Sequence, residues 1–147
     1  MDGLTYTKLN EGCRLTAYRD SVRGVWTIGY GCTGPGIIPG VTWTQAMANT
    51  QARLRYNTAM HQAAIDVGQT WDDLDPIRQA ALTDMAYQMG GTGLAKFRHM
   101  LAAVAAGDWQ GAHDACLASD YATQTPERAH RNAAILLTGQ WQPGYGG

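Results

Sequence analysis

Apolar residues recur along this chain with two different rhythms. Between residues 17 and 42 the β-favouring side chains Tyr18, Val25, Trp26, Ile28, Tyr30 and Val41 fall in short runs broken by glycine and proline. That is the pattern of hairpins rather than helices. A first short helix is expected to end at Gly12, and from about residue 43 the spacing turns helical. Thr42 or Thr44 is placed to cap a long helix to about Val67, with Tyr56, Met60, Ala64 and Val67 on one face. Asp75-Pro76 marks another start, since aspartate accepts from the free N–H groups and proline fits the first helical position. The helix it opens, Ile77 to Met89, is apolar nearly all round, so it should run through the core and end at Gly90-Gly91. Further helices are predicted over Leu94–Ala106 and from Asp108 to about Ala118. Thr125-Pro126 opens a last one reaching Gly139, and the tail from Pro143 to Gly147 reads as loose. The predicted fold class is α+β: one domain over 1–147, with a small β-rich lobe over about 14–42 and a larger helical lobe over about 43–142. A cleft between two such lobes suits a polymer.

Composition narrows the classes. With 147 residues, 45% apolar and 16% charged, the chain has the make-up of a globular domain. A net charge of −1 lacks the basic excess that duplex binding needs, so no nucleic-acid partner is expected. Cys13, Cys32 and Cys116 do not resemble a disulfide framework; one pair stays open, but free thiols are the expectation. The first residues carry Asp2 and no apolar stretch, so no signal peptide is read there. The longest apolar run, Met100 to Ala106, falls far short of the roughly 18 residues a membrane span needs.

Candidate chemistry concentrates between Glu11 and Gly31. Glu11 stands where the first helix should end, and Asp20 where a hairpin should begin. Glycosidases use two carboxyl groups flanking the scissile bond, one protonated and one ionised, in environments that hold them apart. Taken alone, however, two such residues read far more readily as solvated surface acids.

The wider pattern decides between these. Glu11, eight intervening residues, Asp20, a short hairpin and then Thr27, Ile28, Gly29, Tyr30 and Gly31 resemble the active-site region of the phage lysozymes of glycoside hydrolase family 24. Ala81 to Gly93 is similar to that family's buried helix and following turn, and Gln124 to Arg131 with Thr138 to Trp141 to its C-terminal helix and end. The resemblance implies a lysozyme-like fold and hydrolysis of the β-1,4 bond between N-acetylmuramic acid and N-acetylglucosamine in bacterial peptidoglycan. It makes Glu11 the general acid, Asp20 the carboxylate that positions the attacking water, and Thr27 the hydroxyl that helps hold it. An inverting reaction would set the two carboxyls roughly 6.5–9.5 Å apart. Arg128 falls where the family pairs an arginine with the glutamate, an arrangement that favours ionised glutamate and so opposes its use as an acid. Thr33, Tyr87 and Gln88 are the implied sugar-binding residues; Tyr87 reads equally as a core aromatic with its hydroxyl at the surface.

Two departures stand out. Six residues separate Asp20 from Thr27, one more than is usual in the family, and the extra one should bulge the turn around Arg23-Gly24. Cys32 replaces a histidine that many members carry, with an effect expected on stability rather than catalysis. Other signals fail on context. Gly29, Gly31 and Gly34 fit a dinucleotide fingerprint, but prolines follow where a helix should start. Asp72, Asp73 and Asp75 lack the glycine and final glutamate of a calcium loop, and His113 with Cys116 is half a zinc site. No metal or cofactor is implied, and a monomer is expected. A lytic transglycosylase, or a non-catalytic peptidoglycan-binding module of a phage particle, are the alternatives. The expected setting is the host cytoplasm until a separate pore releases the protein, or else the virion.

Overall fold

Asp2 opens the first helix, α1 (Gly3–Glu11), by accepting from the Thr5 N–H at 2.8 Å. The computed structural model describes Met1–Tyr145; the last two residues of the predicted loose tail, Gly146 and Gly147, lie outside the described residues. Gly12 turns the chain out of α1 into an antiparallel pair, β1 (Arg14–Arg19) and β2 (Trp26–Gly29). The ladder runs regularly through Tyr18 opposite Thr27 and Arg19 opposite Trp26, and the Asp20 N–H donates to the Val25 carbonyl at 2.9 Å. The turn beyond, residues 21–24, therefore takes up the extra residue as a wider loop. The irregularity expected at Arg23-Gly24 lies instead between Arg14 and Tyr18 in β1. Its cause is a competing partner: Ala17 N–H donates to Val41 O at 2.9 Å and Trp43 N–H to Leu15 O at 2.8 Å, so mid-β1 leaves β2 to pair with residues 41–43. Ile28, Cys32 and Ile37 form a small core behind this lobe, flanked by Trp26 and Trp43.

Thr44, of the two threonines considered, caps α2 (Gln45–Val67) through the Met47 N–H at 3.1 Å. The buried face of α2 differs from the predicted one. Tyr56 and Val67 are inside, but Met60 is 40% exposed and Ala52, Ala59 and Ala63 take the inner positions. Alanines there let α2 approach the next long helix closely, where a methionine would hold the two apart. After a 3₁₀ turn at Trp71–Asp73, Asp75 caps α3 (Pro76–Ala95) at 2.9 Å from the Arg78 N–H. As expected, α3 crosses the core, with Ala81, Leu82 and Met85 fully buried.

Helical bonding does not stop at Gly90. The helix breaks there (φ +76°, ψ 163°), a conformation open cheaply only to glycine, and resumes to Ala95. Leu94 accordingly lies in the last turn of α3 rather than starting the next helix. Phe97 leaves helical geometry to set its ring edge-on to Tyr121 at 6.0 Å, and α4 covers only Arg98–Ala105. Asp108 then caps α5 (Trp109–Leu117). Next comes α6 (Asp120–Gln124), five residues that are too short to show a periodicity. The last helix, α7 (Pro126–Thr138), ends as predicted at Gly139, in left-handed conformation.

The tail is less loose than its glycines suggest. Trp141 and Tyr145 pack on Tyr6 with centroids 5.1 and 6.0 Å away, and Arg131 lies 4.2 Å over the Tyr145 ring. The three cysteines are free thiols, Cys32 and Cys116 buried and Cys13 exposed. Burial pushes the Cys116 thiol up to about 12 and raises that of Cys32, so both are packed, protonated groups. The fold is α+β, seven helices and one hairpin among the described residues.

Candidate active site

Glu11 is the last residue of α1, where the chain leaves the helical lobe for the hairpin. Its carboxyl is gripped from two sides. From the first turn of α7, Arg128 Nη1 donates to Glu11 Oε1 at 2.8 Å, with both side chains almost wholly covered. From the other side comes the backbone of Gly31, so close that a β-carbon there would sit 2.2 Å from Glu11 Oε2. Gly31 also holds φ at +72°, so glycine is required there both for its conformation and for the close approach.

Arg128 in turn is fixed by Asp84, a residue that sequence reasoning missed as a functional group. Nε donates to Asp84 Oδ2 at 2.9 Å and Nη2 to Oδ1 at 2.8 Å, a bidentate pair. Thr7 Oγ1 (2.7 Å) and Asn132 Nδ2 (2.9 Å) fill the remaining acceptor positions. Asn132 is itself tied to Tyr121 OH at 2.9 Å and accepts from Tyr6 OH at 2.7 Å. Burial works to raise the Asp84 carboxyl, but the Arg128 charge and these hydrogen bonds prevail and hold it below the usual carboxylate range. The signal was present in the sequence: Asp84 is the one charge in the apolar stretch from Ala80 to Ala86. A charge in such a place needs a buried partner.

Asp20 begins the hairpin turn. Its Oδ1 accepts from the Val22 and Arg23 N–H groups, both at 2.8 Å, and the Arg23 guanidinium lies 3.6 Å from Oδ2. The Arg23 N–H lowers this carboxyl most; burial opposes, and the Val22 N–H and the Arg23 charge add to the lowering. Asp20 is therefore ionised at neutral pH. Thr27 is fully buried and donates to the Val25 carbonyl at 3.1 Å, the same oxygen that accepts the Asp20 N–H. Both side chains thus serve the hairpin itself, leaving Asp20 Oδ2 and the lone pairs of Thr27 as acceptors. Tyr18, also missed, senses both carboxylates: burial raises its phenol most, then the Asp20 charge, with Glu11 adding to it.

Thr33, Tyr87 and Gln88 come together. With Arg23 and Gly31 from the hairpin side and Arg55 and Gln62 from α2, they line one groove of about 380 Å³. Tyr87 has features of both readings of it: its ring lines the groove, while its hydroxyl, instead of reaching the surface, donates to the Tyr30 carbonyl at 2.5 Å. Gln88 donates to Thr125 at 3.3 Å, and its buried Oε1 has no protein partner among the described residues. Arg55 Nη1 donates to the Thr33 carbonyl at 2.9 Å and so braces the loop across the groove. A larger hollow of about 820 Å³ lies among Phe97, Met100, Ala115 and Tyr121 in the helical lobe. Neither Glu11 nor Asp20 lines either hollow; the smaller groove is the one that adjoins them, through Gly31 beside Glu11 and Arg23 beside Asp20.

Comparison with known proteins gives the family. Residues 8–133 match the family described as "Phage lysozyme". Over 73 residues, half of this chain, the sequence is 48% identical to the pre-baseplate central spike protein Gp5 of Enterobacteria phage T4, a stretch that makes up 13% of that protein. It is 35% identical over 106 residues, 67% of this chain, to the endolysins of Lactococcus phages c2 and phivML3, of which the match covers 44%. The matched stretch is thus less than half the length of each of these relatives. A match extending from α1 into α7, and so spanning Glu11, Asp20, Asp84 and Arg128, shows that the chain belongs to the phage lysozyme family.

Proposed function

We propose that this chain hydrolyses the β-1,4 bond between N-acetylmuramic acid and N-acetylglucosamine in bacterial peptidoglycan. The observation that carries the reading is Glu11 itself, a carboxyl clamped between Arg128 and the Gly31 backbone, with Gly31 also lining the groove. A glycan strand lies along that groove against Tyr87, Gln88 and Thr33. Glu11 delivers a proton to the leaving oxygen, while Asp20 Oδ2 holds the water that attacks from the opposite face of the sugar; Thr27, fully covered here, joins in holding it once the hairpin opens around the glycan. The chain's near-neutral net charge gives no general attraction to an anionic wall, but Arg14, Arg19 and Arg23 outnumber Asp20 on the hairpin and supply it locally.

Mass spectrometry of digested glycan tests the reaction class. Fragments carrying one added water and a free reducing end are expected; anhydro-sugar ends would make the chain a transglycosylase. Gly31→Ala tests the clamp. Its β-carbon must displace Glu11, and a misplacement of that size is expected to lower lysis about 10²-fold. The accompanying backbone strain should cost only about 1–2 kcal/mol. Full lysis by the variant would separate the clamp from the chemistry.

A second setting is favoured by the 48% identity to a spike protein. There the same hydrolysis would open the wall during infection, rather than from a free endolysin released through a separate pore. Immunodetection of the chain in purified virions supports the former, and its absence from them the latter.

A further inference from the structure

An arginine 2.8 Å from a general acid is a contradiction, because an adjacent cation favours the ionised form and an acid must keep its proton. We infer that Asp84 is a positioning residue for Glu11, acting through Arg128. By cancelling the guanidinium charge and locking its plane, it turns Arg128 into a neutralised hydrogen-bond donor that places Glu11 without forcing it to ionise. This inference rests on the reading of Glu11 as the acid.

The geometry leaves Arg128 little freedom. Two of its nitrogens are spent on Asp84, and only Nη1 points to Glu11. Asp84 is saturated by four donors, with Thr7 of α1 and Asn132 of α7 completing the set, so its carboxylate cannot turn away. The tyrosines and the cysteine around the pair offer no competing anion. Tyr6 of α1, Tyr56 of α2 and Tyr121 of α6 face Asp84; Tyr18 of β1, Cys32 and Tyr87 of α3 face Glu11. Burial keeps all six neutral. The further charges acting on them are Asp2 on Tyr56, Asp20, Arg14 and Arg23 on Tyr18, Arg55 on Cys32 and Tyr87, and Arg131 on Tyr6. The ionised Arg128–Asp84 pair is therefore neutral as a unit.

The test is the pH profile of lysis for the wild type and Asp84→Asn, with carboxyl-carbon NMR titrations of Asp84 and Glu11 alongside. Asp84→Asn keeps the shape and removes the charge, but its amide nitrogen faces two of the four donors, so the titration is read alongside a thermal melt. Its alkaline limb is expected to move down by about one pH unit or more, so that lysis falls about tenfold near the limb and recovers at lower pH. The Glu11 titration should move with it, and Asp84→Asn/Arg128→Gln, neutral again, should bring that titration back. A uniform loss at every pH with an unmoved Glu11 titration would reduce Asp84 to a fold residue. Should Asp84→Asn not fold, the wild type still decides: Asp84 must stay ionised wherever Glu11 takes up its proton, and its protonation in that range overturns the inference. If Glu11→Gln retained lysis, the proposed acid would be lost, while the titrations would still show whether Asp84 balances Arg128.

Discussion

Glu11→Gln is expected to abolish clearing of outer-membrane-permeabilised Gram-negative cells, by about 10²–10⁴-fold, while leaving the fold intact. Glutamine keeps the size of the side chain and an oxygen that can accept from Arg128 Nη1, so the 2.8 Å contact and the packing against Gly31 can both survive. It cannot donate a proton to a leaving oxygen. Arg128 also retains its two hydrogen bonds to Asp84 in the variant. Turbidity loss and a thermal melt on the same preparation are the measurements. A folded variant that still clears cells at the wild-type rate would remove Glu11 from the chemistry.

Arg128→Met is expected to destabilise the protein by about 3–5 kcal/mol, because it leaves Asp84 buried without its counter-charge. For a chain of this size that is roughly 10 °C in melting temperature. The cost should depend on pH in a definite direction. In the wild type the Asp84 carboxyl is held below its ordinary value. Its contribution is fully present above the unfolded value of about 3.9 and is lost as pH falls through the lower folded value. Without Arg128, burial is opposed only by the Thr7 and Asn132 hydrogen bonds, and the carboxyl is expected to rise above its unfolded value. The variant then gains relative stability as the pH is lowered, so the penalty is largest near neutrality and shrinks toward about pH 4. Urea or thermal melts of both proteins across that range measure it. A penalty of the same size at every pH would mean that the loss is one of packing, not of charge.

The same pair of residues illustrates how legibility divides in this protein. The Glu11–Arg128 contact was expected from a family resemblance, although the two lie 117 positions apart. Asp84 was passed over, since nothing within a few residues of it says what it faces; its partners Thr7, Arg128 and Asn132 lie 77, 44 and 48 positions away. Phe97 shows the same blindness, leaving its helix for a ring on another element, as does β1, which gives up β2 for residues 41–43.

What the sequence by itself determined is what depends on near neighbours. The cap at Asp75, the helix start at Asp108 and the stop at Gly139 each involve hydrogen bonds closed within four residues, so local chemistry suffices to place them, whereas Thr42 and Thr44 stayed alternatives. The tertiary structure decided which face of α2 is buried, how the hairpin shifts its register, and how Asp84 and Arg128 share their charges. These outcomes depend on desolvation and Coulomb energies summed over elements that are remote in sequence, and such sums exist only once the elements have packed.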